Sequence, residues 1–221
     1  MDLITGLVSL VILVYSAILH EIAHGFVAER LGDPTARLLG RLTLNPKNHI
    51  DPMMTIAFPL LTYFASGGTL IFGGAKPVPV DPFNFREPKK DMALVSLAGP
   101  GTNAILAILG AILFKGIILA TPFLSANQLL ANLANPILNF LFLVVRINLL
   151  LAIFNLIPIP PLDGSKVLAQ FLPDREVAIY LSIGSVGIFI IFFLLMFPIG
   201  GLSLGGFIFN LLAFSLHLLG L

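Results

Sequence analysis

Apolar residues in this chain gather into long runs separated by short polar connections, and the runs have the length of helices that cross a bilayer. Six stand out, at 3–28, 52–72, 92–114, 136–157, 177–197 and 202–219. A helix spans the hydrocarbon layer with roughly 17–25 predominantly apolar residues, so every run is a candidate for insertion. Proline and glycine collect between the runs. Pro198-Ile199-Gly200-Gly201 separates the last two so tightly that they are expected to form an antiparallel hairpin.

The basic residues decide which runs cross. Arg30, Arg37, Arg41 and Lys47 precede 52–72, while Lys76, Arg86, Lys89 and Lys90 follow it. The positive-inside rule puts both groups on the cytoplasmic side, and a segment with both flanks on one side does not traverse the membrane. Run 52–72, with Pro59 and Gly67-Gly68 inside it, is therefore expected to enter the bilayer and return, buried against protein so that its backbone groups are satisfied. The alternation Arg41-Leu42-Thr43-Leu44 and the stretch 77–82 predict short strands beside it, with an edge on which an unwound substrate could pair. The amino terminus then lies outside, 92–114 runs outward and 136–157 inward, with Lys166 and Arg175 inside. Ten of the twelve Lys and Arg residues fall on the cytoplasmic face, and Lys115 and Arg146 are the exceptions. Arg146 is expected to face the bundle interior, against a carbonyl or Asn148.

Composition agrees with the membrane reading: 57% of residues are hydrophobic, 10% are charged, and the mean hydropathy is +1.02. A soluble domain carries about 25% charged residues. Too little polar sequence remains for a separate soluble domain or a nucleic-acid-binding face, and the net charge of +1 points to no charged partner. Cysteine is absent, which removes disulfides and thiolate metal sites. Met1-Asp2 lacks the positive charge of a cleaved leader, so 3–28 is expected to be retained. The expected fold is an all-α polytopic membrane protein of one domain, 1–221, with a core at 1–170 and a C-terminal hairpin at 177–219. It has about five transmembrane helices, with the re-entrant segment and its short strands between the first two core helices.

The chemistry is concentrated in His20-Glu21-Ile22-Ala23-His24, inside the first apolar run. Residues four apart on a helix share a face, so His20 and His24 can grip one zinc ion while Glu21 projects beside them. Ionisable side chains at bilayer depth are costly and mark function. A zinc protease requires a third protein ligand and an open fourth position. Val27 and Arg30 stand where the extended soluble motif would place its glycine and third histidine, and Glu29 is too close on the same helix. The best remaining candidate is Asp163, after Asn155-Leu156-Ile157-Pro158-Ile159-Pro160-Pro161-Leu162, where three prolines end a helix and Gly164 allows a turn. The topology above puts Asp163 on the same side as both histidines. His49, in a polar loop, and His217, near the last helix end, are not expected to be ligands, and His49 is the substitute to check.

Three motifs in order, His20-Glu21-x-x-His24, Gly99-x-x-x-Asn103 and Asn155-x-x-Pro158-x-Pro160-x-x-Asp163-Gly164, resemble the signature elements of the site-2 protease family of intramembrane zinc metalloproteases, in a compact form without a PDZ or CBS domain. The resemblance implies one zinc ion per chain on His20, His24 and Asp163, with Glu21 as catalytic base. It also implies that Asn103 and Asn155 line the active site and hold substrate. A membrane-inserted β-element between the first two core helices is a family feature as well. The implied activity is cleavage of the transmembrane segments of membrane-anchored proteins near the cytoplasmic face, in the plasma membrane of a prokaryote.

Blander readings compete with this one. An Asp-Gly pair after prolines is usually only a turn, and an asparagine in a span can simply hydrogen-bond a neighbouring helix for about 0.6 kcal/mol. A metal transporter would place its ligands along a water path through the bilayer, whereas these converge near one face. An inert zinc-binding scaffold would keep the fold and lose the base, and Glu21 is present.

Overall fold

A computed structural model describes residues 3–57, 61, 64, 74–124, 128–198, 200–201 and 203–221. Three long helices dominate it: α1 (Leu3–Arg30), α3 (Pro88–Leu124) and α4 (Gln128–Asn155), which pack on one another. The short helix α2 (Thr35–Leu38) follows α1, and α5 (Asp163–Ala169) lies against α3. The remaining helices are α6 (Asp174–Ser182), α7 (Gly184–Met196) and α8 (Leu204–Leu218), the last packed on α4 and α7.

The three long helices are each apolar enough to cross a bilayer, and 22% or less of their most apolar stretches is buried within the protein. Side chains such as Ile105, Ile112 and Leu113 are exposed along α3, as the lipid-facing side of a spanning helix requires. Between helices the contacts use small residues. Ala107 and Ala111 are buried against Val145, and a methyl group on Gly110 would meet Val145 Cγ2 at 3.0 Å, so α3 and α4 approach closely. Close backbone approach replaces the hydrophobic effect as the source of association inside lipid.

Several expectations are corrected. Among the described residues three helices are long and apolar enough to span, or four if the pair α6 and α7, bent by 68°, counts as one, instead of about five. α8 has 15 residues, about 22 Å of helix, which is short of the ~30 Å hydrocarbon layer. α3 runs past both ends of 92–114 and α4 begins well before 136, and Pro100, Pro122 and Pro136 are accommodated within them. The helices also run on into the polar connections.

No strand occurs among the described residues, so the expected β-element is overturned. Pro77 and Pro79 lack an N–H at alternate positions, which strips one edge of 77–82 of its donors, and the Val78 N–H is taken by Glu21. In 41–44, Thr43 spends its carbonyl on His49 Nε2 and its hydroxyl on the Asn45 N–H. Of the expected re-entrant segment 52–72, a π-helical turn Pro52–Ala57 is described, and 58–72 otherwise lies outside the described residues except for Leu61 and Phe64. Arg146 is exposed on the outer face of α4, while Asn148 is buried. Two residues along a helix are 200° apart, so the pair cannot share the interior.

One buried carboxylate organises the connection between α1 and α3. Asp33, fully buried, accepts hydrogen bonds from the Thr35 N–H at 3.1 Å, the Thr35 hydroxyl, the Asp81 N–H at 2.8 Å and the Asn84 amide at 2.8 Å. Those bonds draw 81–84 back onto the end of α1 and so carry Val78 over Glu21. Burial by itself raises the Asp33 carboxyl, but the four donors outweigh it and hold the group below its ordinary value. Its contribution to stability is therefore complete above the unfolded value of ~3.9 and disappears as pH falls through the folded one. In detergent the thermal midpoint of the protein should drop below about pH 4, and Asp33→Asn should flatten that drop. Near neutral pH, Asp33→Ala should cost about 1–3 kcal/mol, because donors are left unpaired.

Candidate metal centre

His20 and His24 lie in the second half of α1, both buried, with ring centroids 4.6 Å apart. Asp163 is the first residue of α5 and reaches them because α4 ends in the proline-rich turn. Gly164 makes the return possible. A Cβ there would lie 2.2 Å from the Leu156 carbonyl oxygen, so only glycine lets the start of α5 fold back against the end of α4. The turn is braced from outside by Tyr180, whose hydroxyl donates to the Pro158 carbonyl at 2.8 Å.

The three side chains meet at one point. Asp163 Oδ2 is 3.0 Å from His20 Nε2 and 3.1 Å from His24 Nε2, and the two Nε2 atoms are 2.9 Å apart. The opposite ring nitrogens are both engaged. His24 Nδ1 donates to the Val95 carbonyl at 2.7 Å, and His20 Nδ1 faces Asn103 Oδ1 at 2.6 Å. With the ring proton on Nδ1, each neutral imidazole presents a bare electron pair at Nε2. Two such pairs and a carboxylate oxygen converge on one point, which is the donor set a metal cation requires.

A zinc ion fits this donor set. Ligand atoms at ~2.0–2.1 Å in a tetrahedron stand about 3.3 Å from one another, so the observed separations need a few tenths of an ångström of outward relaxation. His20, His24 and Asp163 form the one cluster of three such residues among the described residues whose ligand atoms lie within 4.8 Å of one another. His49 does not join it. It is buried elsewhere with Nε2 on the Thr43 carbonyl at 2.8 Å. Gly99 of α3 forms the floor, where a Cβ would stand 2.5 Å from the Nε2 atoms of both histidines.

The family is now decided. The model of Peptidase family M50 matches residues 8–198. This chain belongs to peptidase family M50, and it is a zinc-dependent metalloprotease of the membrane. It is 36% identical over 188 residues to "Putative zinc metalloprotease YwhC" of Bacillus subtilis (strain 168), covering 85% of this chain and 80% of that protein. It is also 34% identical over 167 residues to "Putative zinc metalloprotease Rip2" of Mycobacterium tuberculosis (strain ATCC 35801 / TMC 107 / Erdman), covering 74% of this chain and 57% of Rip2. The chain thus spans little more than half of Rip2's length. No solved structure matches significantly.

Around this cluster lies a cavity of about 320 Å³, whose walls include Glu21, Val78, Met92, Asn155 and Lys166 besides the three clustered side chains. Glu21 is partly exposed in this cavity, and its Oε2 accepts the Val78 N–H at 2.7 Å. Lys166, one turn along α5, has its Nζ 3.5 Å from Asp163 Oδ1. Asn155 is at the cavity wall, where its Nδ2 donates to the Leu151 carbonyl. Asn103 is placed differently from the substrate role implied by the resemblance. It is fully buried behind His20, away from the cavity, with no surface to offer a substrate. Sequence reasoning also passed over Gly99 as the floor and Val95 as the partner of His24. The run Gly99-Pro100-Gly101, two glycines inside a helix, was the available sign of a close approach.

The floor can be tested directly. Gly99→Ala should sharply reduce the zinc retained after purification, read by elemental analysis. Gly101→Ala, whose Cβ would meet nothing within 4 Å, should retain it as wild type does.

Proposed function

We propose that this protein is an intramembrane zinc endopeptidase that cuts the transmembrane segments of membrane-anchored proteins near the cytoplasmic face. In this reading His20, His24 and Asp163 hold the metal, Glu21 is the catalytic base and Asn155 contacts the substrate backbone. The observation that carries it is the convergence of two histidine Nε2 atoms, on a helix apolar enough to span a bilayer, with the carboxylate of Asp163.

Depth follows from helix geometry. His24 and His20 are about 9 and 15 Å along α1 from Arg30 at its basic end, which suits a cut inside one leaflet. That end of α1 packs through Ala28 on Phe85 and Val95, and Lys89 reaches across to the Leu172 carbonyl and Asp174. The basic connections after α1, before α3 and after α4 therefore gather at one end of the bundle. The positive-inside rule makes that end cytoplasmic.

Zinc, when bound, supplies the Lewis acidity that makes water nucleophilic near neutral pH and polarises the scissile carbonyl. Glu21, held at the cavity wall by the Val78 N–H, takes a proton from the attacking water and returns it to the leaving amine nitrogen. Asn155 and the walls of the cavity orient the peptide beside Glu21. A helical substrate hides its carbonyls in its own hydrogen bonds, so the segment to be cut must unwind before it enters. The prokaryotic plasma membrane is the compartment this reading favours, with single-span proteins as substrates and the C-terminal hairpin 177–219 as an appendage of the protease domain.

Glu21→Gln removes the proton acceptor and leaves the ligands in place. Cleavage of a membrane-anchored reporter should fall by about 10²–10⁴-fold with zinc content unchanged, and single-span proteins should accumulate in cells carrying the variant. Undiminished cleavage would remove Glu21 from the chemistry. Zinc lost together with activity would make it a structural element of the site.

A further inference from the structure

Behind His20 runs a chain of side-chain amides whose direction is fixed at its far end. The Val144 carbonyl can only accept, and it takes the Asn148 Nδ2 at 2.9 Å, which settles which way the Asn148 amide points. The other hydrogen of that Nδ2 goes to Ser16 Oγ at 3.0 Å. Asn148 Oδ1 is left as an acceptor, and Asn103 Nδ2 donates to it at 2.9 Å, with its second hydrogen directed at the Ser16 carbonyl at 3.4 Å. Asn103 Oδ1 must then accept, and what it faces at 2.6 Å is His20 Nδ1. All four amide hydrogens and both amide oxygens are used, and the chain ties α1, α3 and α4 together.

The members of this chain are withdrawn from both water and lipid. Exposure is 0% at Asn103, 1% at Asn148, 5% at Ser16 and 6% at His20. In such surroundings an amide turned the wrong way would oppose oxygen to oxygen and nitrogen to nitrogen, at a cost of the order of an unmade hydrogen bond at each end. The orientation set at Val144 is therefore transmitted through two amides to the imidazole.

We propose that Asn148 and Asn103 are positioning residues for the metal centre: a directional amide relay from the Val144 carbonyl locks His20 with its proton on Nδ1, so that Nε2 is bare before metal arrives. The relay rests on the reading of His20 as a ligand. It does for His20 what a backbone carbonyl, that of Val95, does for His24 in one step. Outer partners of ligating histidines commonly carry 10–100-fold in metal affinity. Neither asparagine touches substrate in this arrangement; both act through His20.

The test uses the full chain in detergent micelles, with zinc affinity read by competition against a chelator of known strength and the ring tautomer of His20 read by ¹⁵N NMR on the zinc-free protein. Asn103→Leu should weaken zinc binding by about 10–100-fold and lose the fixed Nδ1–H tautomer, and Asn103→Asp, which keeps an acceptor opposite Nδ1, should recover most of the affinity. Asn148→Leu should weaken binding less, and the double variant Asn103→Leu/Asn148→Leu should bind no worse than Asn103→Leu alone, because Asn148 works only through Asn103. Unchanged affinity in Asn103→Leu, or losses that multiply in the double variant, would overturn the relay. If Asn103→Leu does not fold, Asn148→Leu carries the same test, since weaker zinc with a mixed tautomer supports the relay and wild-type behaviour overturns it. His20→Ala separates the two levels: should it bind zinc as tightly as wild type, the failure belongs to the ligand assignment and not to the relay.

Discussion

Polar atoms placed inside a bilayer must find partners within the protein, and the centre of this molecule is organised by one place where three metal-ligating atoms meet. Two imidazole nitrogens and a carboxylate oxygen stand 2.9–3.1 Å apart, and the outer nitrogen of each ring is already committed to an acceptor. A metal ion at that point would satisfy all three atoms at once, with Val95 and Asn103 holding the rings from behind. The rest of the fold can be read as what is required to keep those three atoms together. α1 supplies the histidines, α3 presses Gly99 beneath them, and the proline turn after α4 returns Asp163 to their side.

Support for the centre comes in two kinds, and they differ in strength. Packing between the long helices relies on small residues at Ala107, Gly110 and Ala111, which set the distance between α3 and α4 without fixing any side-chain chemistry. Hydrogen bonds through Asp33, Val95, Asn103 and Asn148 fix direction as well as distance. Away from water an unsatisfied group of this kind costs several kcal/mol, so each such bond narrows the arrangements open to the site. The loop at 74–81 belongs to the second kind, tied by Asp33 at one end and by Glu21 at Val78.

Much of this was legible in the chain itself. The four-residue spacing of His20 and His24 gives a shared face whatever surrounds the helix, and the prolines before Asp163 announce a break where an aspartate can turn back. The β-element was not legible as supposed. The stretch 77–82 reads as a strand candidate, but Pro77 and Pro79 fall on one edge and forfeit its donors, a sign present in the letters. Arg146 and Asn148 were likewise both assigned to the interior although they point to opposite sides of α4. The part played by Asn103 could not be read at all. A motif names an asparagine, but which way its amide points depends on the direction of the Asn148 amide, and that is set by the Val144 carbonyl one turn earlier in α4.

The most direct measurement is X-ray absorption at the zinc edge on the purified protein, paired with the Asp163→Ala variant. One zinc per chain with two imidazole nitrogens and carboxylate oxygen in its inner shell at ~2.0–2.2 Å, with the variant losing the metal or replacing that oxygen, is the expected result. A zinc environment that does not change when Asp163 is removed, or one without two imidazoles, would contradict the proposed centre.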